Sequence, residues 1–89
     1  MNKDMIAMVD DEKELIETYS EMLSEKYDVI TFDSPKLFFE YLDKFQDNPF
    51  KVLISDYNMG SVSGLQMVKK LKDIGKACPF IMMSGYLDK

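Results

Sequence analysis

Acidic and hydroxyl side chains directly follow three short apolar runs of this sequence. Asp10 and Asp11 follow the first run, Asp56 follows the second and Ser84 follows the third. If the ends of these runs meet in the fold, three carboxylates and one hydroxyl share one site. Two carboxylates about 4 Å apart repel by about 4 kcal/mol at an effective dielectric constant of about 20. Such a cluster must therefore take up a proton or hold a cation.

The available donor atoms indicate which cation would bind. Carboxylate and backbone carbonyl oxygens suit a hard divalent ion, and Mg²⁺ is favoured where the ion keeps several waters and accepts a phosphoryl oxygen. The sequence has no histidine, and Cys78 is its one cysteine, which disfavours zinc and copper. The lack of histidine also excludes Ser-His-Asp and Cys-His catalysis in this chain.

Four short segments predict strands: 5–9, 27–32, 52–55 and 80–83. The run 5–9 is continuous and apolar, as expected of a strand buried on both faces, and 27–32 is rich in β-branched and aromatic residues. Amphipathic segments separate them, so the predicted order is βαβαβαβ, an α/β fold with a parallel sheet and right-handed crossovers. A spatial order of 2-1-3-4 makes strands one, three and four neighbours. In open sheets of this kind, ligands bind beyond the carboxyl ends of the strands, where the order reverses.

The predicted helices have identifiable ends and apolar faces. Their caps, in chain order, are Asp11 with Glu14, Ser34 with Pro35, and Ser63 with Gln66, and Gly75 ends the third helix. The predicted core-facing residues are Leu15, Ile16, Tyr19, Met22 and Leu23, then Leu37, Phe38, Tyr41, Leu42 and Phe45, then Leu65, Val68, Leu71 and Ile74. The stretch 58–63 is predicted to be a loop.

Composition sets the class of the protein and narrows its partners. The 89 residues allow one domain, 1–89, and their 46% hydrophobic content is enough for a core. A net charge of −5 argues against nucleic acid and against an anionic membrane surface. We find neither a signal-peptide core nor a run long enough to span a bilayer, and a single cysteine fits a reducing compartment, so the expected location is the cytoplasm.

Each candidate residue also has a simpler structural explanation. Asp10 or Asp11 alone could be a helix N-cap. Asp56 alone could be an ordinary turn residue, and Ser84 with Gly85 could be a turn. The coincidence favours a shared site, because all of them close apolar strands at the edge where this architecture binds ligands.

Four fragments carry a resemblance to a known family. They are Val9-Asp10-Asp11-Glu12, Leu53-Ile54-Ser55-Asp56, Asp56-Tyr57-Asn58-Met59 with Gly64 farther on, and Met82-Met83-Ser84-Gly85. In this order they resemble the receiver domain of two-component response regulators, over essentially the whole chain. The resemblance implies a flavodoxin-like (CheY-like) fold and a role in phosphorelay signal transduction.

The resemblance also implies a role for each matching residue. Asp56 is the phosphoacceptor, and Mg²⁺ is the cofactor. The implied metal ligands are Asp56, Asp11, Asp10 directly or through water, and the backbone carbonyl of Asn58. Phosphoryl oxygens would accept hydrogen bonds from the Ser84 hydroxyl and from the backbone N–H groups of Met59 and Gly85. The donor would be a phosphohistidine on a sensor histidine kinase or a His-containing phosphotransfer protein, and the chain itself a self-catalysed phosphoacceptor rather than a conventional enzyme.

The sequence departs from the family pattern in two places. Gly60 stands where the family often has proline, which should loosen the loop. Family receivers also continue past strand four through a helix, a strand that begins with a phosphoryl-contacting lysine, and a final helix, whereas this sequence stops at Lys89. We therefore expect a receiver that is incomplete at its C-terminus. It should form homo-oligomers, either through 80–83 as an exposed apolar edge or through the uncovered face of the sheet beside the first helix.

Two other functions stay open at this point. The first is a non-switching protein-interaction module of the same fold, in which the missing lysine impairs phosphotransfer. The second is an aspartate-nucleophile phosphatase, since Asp56-Tyr57-Asn58 is loosely similar to that class. The phosphatase is disfavoured because such enzymes place the nucleophile on their leading strand and need a downstream lysine and further acids.

Overall fold

Strands and helices alternate along the chain, as the apolar runs predict. The structure, a computed structural model, describes residues 3–56, 58–59 and 62–83, with the backbone alone at 58–59 and 62–63. Its elements in chain order are β1 (Met5–Val9), α1 (Lys13–Leu23), β2 (Asp28–Phe32), α2 (Pro35–Leu42), β3 (Val52–Asp56), β4 (Asn58–Met59), β5 (Val62–Ser63), α3 (Gly64–Asp73) and β6 (Phe80–Met83). Both ends of each long strand lie within one residue of the predicted run.

The four long strands form one parallel sheet in the order β2-β1-β3-β6. Since β6 is the fourth predicted strand, the predicted order 2-1-3-4 and the flavodoxin-like arrangement are confirmed. At the carboxyl edge, Val9 of β1 is in register with Phe32 on one side and with Ser55 on the other. The strand order reverses between β1 and β3, so ligand chemistry is expected beyond the ends of these two strands.

The main apolar core lies on the face of the sheet that α2 and α3 cover. Its buried members are Ala7, Val9, Phe32, Phe38, Leu42, Phe50, Leu53, Met67 and Leu71. Right-handed crossovers place α1 on the opposite face, because the connection from β1 to β2 runs across the sheet in the other direction. Alternation along β1 directs Ile6 and Met8 to that second face, where both are buried.

The start of α2 agrees with the prediction, and the start of α1 does not. The Ser34 hydroxyl oxygen accepts a backbone N–H of the first turn of α2 at 3.3 Å, with proline at the first helical position. The capping box of Asp11 and Glu14 is wrong, since the N-cap of α1 is Glu12 and its side chain makes no capping hydrogen bond. The Glu12 N–H instead donates to Oδ1 of Asp10 at 2.9 Å. An acidic residue of the candidate site thus organises the entry to α1.

The buried stripes of α1 and α2 are narrower than predicted. In α1 the one buried residue is Ile16, while Tyr19 and Met22 are 40% and 69% exposed. Helix α2 ends at Leu42, so Phe45 lies past its last turn. Of the helices that the structure describes, none combines the length and the apolar character that a bilayer-crossing segment needs.

The observed core face of α3 is displaced by about one residue from the predicted face. The buried residues are Gly64, Met67 and Leu71, whereas Leu65 and Ile74 are 53% and 42% exposed. Helical spacing back from Leu71 is compatible with two faces, one through Met67 and Gly64 and the other through Val68 and Leu65. Hydrophobicity favours the face with Leu65, because its side chains are larger. The observed face has glycine nearest β3, because the helix begins too close to that strand for a side chain.

Glycine ends α3, as predicted. Gly75 has a φ of +74°, a conformation that costs other L-residues free energy. Its N–H donates to the Lys72 carbonyl at 3.1 Å, and the Lys76 N–H donates to the Leu71 carbonyl at 2.8 Å. This pair of bonds is a Schellman motif, which satisfies carbonyls that the helix end leaves without partners.

The predicted loop over 58–63 is wrong in part, because β4 and β5 pair within it. The two short strands are antiparallel, with Asn58 opposite Ser63 and Met59 opposite Val62. Strands of two residues are too short for apolar alternation to reveal, since that signal needs about four residues or more. The side chain of Ser63, half of the predicted cap of α3, lies outside the described residues.

Lys76 should contribute more to stability than any surface lysine. Its Nζ donates to the carbonyl oxygens of Leu42 and Phe45, each at 2.9 Å, and so satisfies the C-terminal end of α2. We expect Lys76→Met to lower the free energy of unfolding by about 1–2 kcal/mol, because two charge-assisted hydrogen bonds are lost. Urea denaturation measures this change. The control Lys69→Met alters an exposed lysine of α3, and an equal loss there would contradict the assignment.

Candidate metal centre

The structure brings three of the predicted site residues together at the carboxyl edge of the sheet. Asp10 immediately follows β1, and its N–H donates to the Phe32 carbonyl at 3.1 Å, which extends the pairing with β2 by one step. Asp56 is the last residue of β3. One carboxylate oxygen from each of Asp10, Asp11 and Asp56 lies within 4.8 Å of the others. The juxtaposition follows from the order of β1 and β3 and from the register in which they end.

The three carboxylates differ in their exposure to water. Asp10 is 2% exposed, Asp56 is half-buried and Asp11 is exposed. Burial raises the pKa of Asp10, and the negative charges of Asp56, Asp11 and Glu12 raise it further. The hydrogen bond from the Glu12 N–H lowers that pKa and offsets part of the burial. Asp10 is therefore a carboxylate whose charge is unfavourable until a cation or a proton balances it.

The arrangement fits a hard divalent cation. Every side-chain donor in the cluster is a carboxylate oxygen, which is the ligand chemistry that Mg²⁺ and Ca²⁺ prefer. Asp11 faces solvent, so an ion bound there can keep part of its water shell, as Mg²⁺ commonly does. The fit to Mg²⁺ thus rests on the donor set and on its partial exposure.

The remaining predicted site residues fall on or beside neighbouring elements. Asn58 and Met59 form β4, two residues after Asp56, and the roles predicted for them involve backbone groups. Ser84 and Gly85 lie outside the described residues, although they follow β6 in sequence and Met83 of β6 is in register with Asp56.

Two residues packed behind Asp56 were not assigned a role from the sequence. Ser55 is fully buried, and its hydroxyl donates to the backbone carbonyl of Asp56 at 3.0 Å. A Cβ at Gly64 would lie 2.9 Å from that same carbonyl oxygen and 2.5 Å from Sδ of Met82. Ser55 does carry a sequence signal, because it is the one polar residue within the run 52–55.

Comparison with known families decides which class of protein carries this site. Residues 6–89 match the family model described as response regulator receiver domain. The chain belongs to this family. Receiver domains act in two-component phosphorelay signalling.

Relatives of this receiver agree with the assignment. A protein of Arabidopsis thaliana named as a two-component response regulator is 33% identical to it over 85 residues, which are 94% of this chain and 14% of that protein. The chemotaxis protein CheY4 of Vibrio cholerae has a TM-score of 0.79 and 25% identity, covering 97% of this chain and 72% of that one. The response regulator TrrA of Thermotoga maritima, solved in complex with Mg²⁺-BeF, has a TM-score of 0.78 at 24% identity, covering 98% and 72%, and this likeness shows the fold alone.

The buried charge of Asp10 should make this receiver less stable without metal. Two charges within 4.8 Å of one another repel by at least about 3 kcal/mol at an effective dielectric constant of about 20, and water around Asp11 screens part of that repulsion. We expect Asp10→Asn to stabilise the metal-free protein by about 1–2 kcal/mol near neutral pH, since the amide keeps the Oδ1 acceptor for Glu12 and removes the charge.

The pH dependence of stability tests the sign of this effect. Because the pKa of Asp10 is raised above the ordinary aspartate value of 3.8, the folded state holds the proton more tightly than the unfolded state. Stability contributed by this group is therefore lost as pH rises from about 4 through the folded pKa. Urea denaturation at a series of pH values should show the advantage of Asp10→Asn growing over that window and then levelling off. A difference that is constant with pH would contradict the assignment.

Proposed function

We propose that this receiver accepts a phosphoryl group on the Asp56 carboxylate in a Mg²⁺-dependent reaction. The observation that carries the proposal is the cluster of Asp10, Asp11 and Asp56, whose oxygens lie within 4.8 Å of one another beyond the ends of β1 and β3. Membership of the receiver family selects Asp56 among the three as the acceptor. Asp56 is half-buried, so a phosphoryl group could reach it from solvent.

The acidic residues would have different roles in binding the metal and in attacking the phosphoryl group. Asp11 would bind the ion directly, Asp10 directly or through water, and Asp56 and the Asn58 carbonyl would complete the protein's share of ligands. When bound, Mg²⁺ reduces the repulsion between a carboxylate and the incoming phosphoryl oxygens and aligns them. Asp10 and Asp11 are held by the loop that leads into α1, where the Glu12 N–H fixes Oδ1 of Asp10. The backbone thus holds the Asp10 carboxylate in place before any ligand binds.

The proposed step is an in-line transfer from nitrogen to oxygen. A carboxylate oxygen of Asp56 attacks phosphorus, a P–O bond forms, and the P–N bond of a phosphohistidine breaks. The departing imidazole keeps the bonding electron pair and takes up a proton. Hydrogen bonds from the Ser84 hydroxyl and from the N–H groups of Met59 and Gly85 would stabilise the phosphoryl oxygens as charge develops.

The donor of the phosphoryl group would be another protein. The 89 residues contain no histidine, so the phosphohistidine would belong to a sensor histidine kinase or a His-containing phosphotransfer protein. A net charge of −5 supports protein partners over nucleic acid or an anionic membrane. Both kinds of donor place the exchange in the cytoplasm, which is part of the proposal.

Titration with Mg²⁺ followed by beryllofluoride tests the proposal on the wild-type chain. The Thermotoga maritima relative was solved with both components, which makes beryllofluoride a suitable mimic of the phosphoryl group. We expect ¹⁵N NMR signals around residues 10, 11 and 56 to shift with Mg²⁺, and a second set of shifts with beryllofluoride in the presence of Mg²⁺. Absence of both responses would overturn the proposal and favour a non-switching interaction module.

Self-association through β6 is a further part of the proposal. Among the strands that the structure describes, β6 is at one edge of the sheet, and its residues Phe80 and Ile81 are 42% and 55% exposed. Apolar edge strands of this kind pair readily with other chains. We expect sedimentation analysis to show a mass that rises with concentration, and Ile81→Lys to weaken the association by about tenfold or more. The control Leu65→Lys changes an equally exposed residue on α3, 53% exposed, and should leave the association unchanged.

A further inference from the structure

A buried hydroxyl lies directly behind the acceptor residue. Ser55 is 0% exposed in the middle of the sheet, where β1 and β6 flank β3 on either side. Burying a hydroxyl is unfavourable unless it makes a hydrogen bond. The three residues that precede it in β3 are apolar, so packing alone does not explain a polar residue at this position.

The hydroxyl of Ser55 acts on the main chain of Asp56. It donates to the Asp56 carbonyl oxygen at 3.0 Å, and its Oγ lies 3.7 Å from Sδ of Met67 on α3. The first residue of α3, Gly64, approaches the same carbonyl so closely that a Cβ there would lie 2.9 Å from it. The carbonyl of Asp56 is therefore held between a hydrogen bond from its own strand and the start of α3.

We propose that Ser55 is a positioning residue for the Asp56 carboxylate. The Asp56 side chain extends from this main chain, and the allowed side-chain rotamers depend on the backbone, so holding the carbonyl restricts where the carboxylate oxygens can lie. Those oxygens must stay within 4.8 Å of Asp10 and Asp11 for the three to share one ion. The consequence for phosphoryl transfer rests on the function proposed above, whereas the consequence for the orientation of Asp56 does not.

Two substitutions at Ser55 test the proposal. Ser55→Ala removes the hydroxyl without adding atoms, and Ser55→Cys keeps the size with a weaker donor. Three-bond NMR couplings that report χ1 of Asp56 are expected to show one rotamer in the wild type and averaging in Ser55→Ala. The dissociation constant for Mg²⁺ should rise about 3- to 10-fold in Ser55→Ala, with Ser55→Cys between the two.

A matched control separates positioning from general loss of stability. Gly75→Ala strains the end of α3 at a φ of +74° and has no atom within 4 Å of the added methyl, so it should lower stability and leave the Asp56 couplings unchanged. Wild-type couplings and Mg²⁺ affinity in Ser55→Ala would overturn the proposal. If the wild type binds no Mg²⁺, the function proposed above fails, and the χ1 couplings alone still decide whether Ser55 positions Asp56.

Discussion

Asp56→Asn should abolish phosphoryl acceptance and leave the fold intact. The rate of phosphorylation is expected to fall by about a thousandfold or more, as for the loss of other catalytic nucleophiles. An amide oxygen lacks the charge that attacks phosphorus, yet it matches the carboxylate in shape, so β3 should keep its pairing with β1 and β6. Intact-mass spectrometry after incubation with Mg²⁺ and acetyl phosphate measures the gain of one phosphoryl group.

The control for this experiment is a second aspartate at the same edge of the sheet. Asp33 immediately follows β2 and is exposed, and it is not a member of the cluster formed by Asp10, Asp11 and Asp56. Asp33→Asn makes the same change in net charge and should be phosphorylated at the wild-type rate. Chelation of Mg²⁺ should reproduce the loss in the wild type. Unchanged phosphorylation of Asp56→Asn would refute the acceptor assignment.

The sheet and its acidic edge could be predicted because their signals are strong and local. The long strands β1 and β6 are continuous apolar runs, β2 and β3 are rich in β-branched and apolar residues, and alternation with helices leaves few ways to connect them. Once β1 and β3 are neighbours, the residues that follow them must meet at one edge. The closeness of Asp10, Asp11 and Asp56 follows from this topology, without knowledge of side-chain geometry.

Features that depend on long-range contacts could not be predicted. In the sequence, nothing distinguishes Lys76 from a surface lysine. The structure places the end of α2 beside it, and its Nζ donates to two carbonyl oxygens there. Hydrophobicity alone favours Leu65 and Ile74 for the core face of α3, whereas the structure buries Gly64 and exposes both of these larger residues. In each case the deciding fact is how closely two elements approach, which composition and periodicity do not report.

The close approach of α3 to β3 should make Gly64→Ala strongly destabilising. The added methyl would lie 2.5 Å from Sδ of Met82 and 2.9 Å from the Asp56 carbonyl oxygen. The side chain of Met82 can move, but the carbonyl belongs to a strand paired with β6 at Ser55 and Asp56. We expect stability to fall by about 2–3 kcal/mol, as for an overpacked core, despite the gain of about 1 kcal/mol that alanine brings to a helix.

The same substitution should weaken Mg²⁺ binding, because relief of the clash displaces the main chain of Asp56. A loss of about tenfold in affinity is expected from a shift of well under 1 Å. Gly75→Ala provides the comparison at the other end of α3, where strain comes from a φ of +74° and not from neighbours. It should cost about 1 kcal/mol and leave Mg²⁺ affinity unchanged. Urea denaturation measures the stability of both variants, and calorimetric titration measures their Mg²⁺ affinity. Equal Mg²⁺ affinity in Gly64→Ala and Gly75→Ala would show that the start of α3 does not hold Asp56 in position.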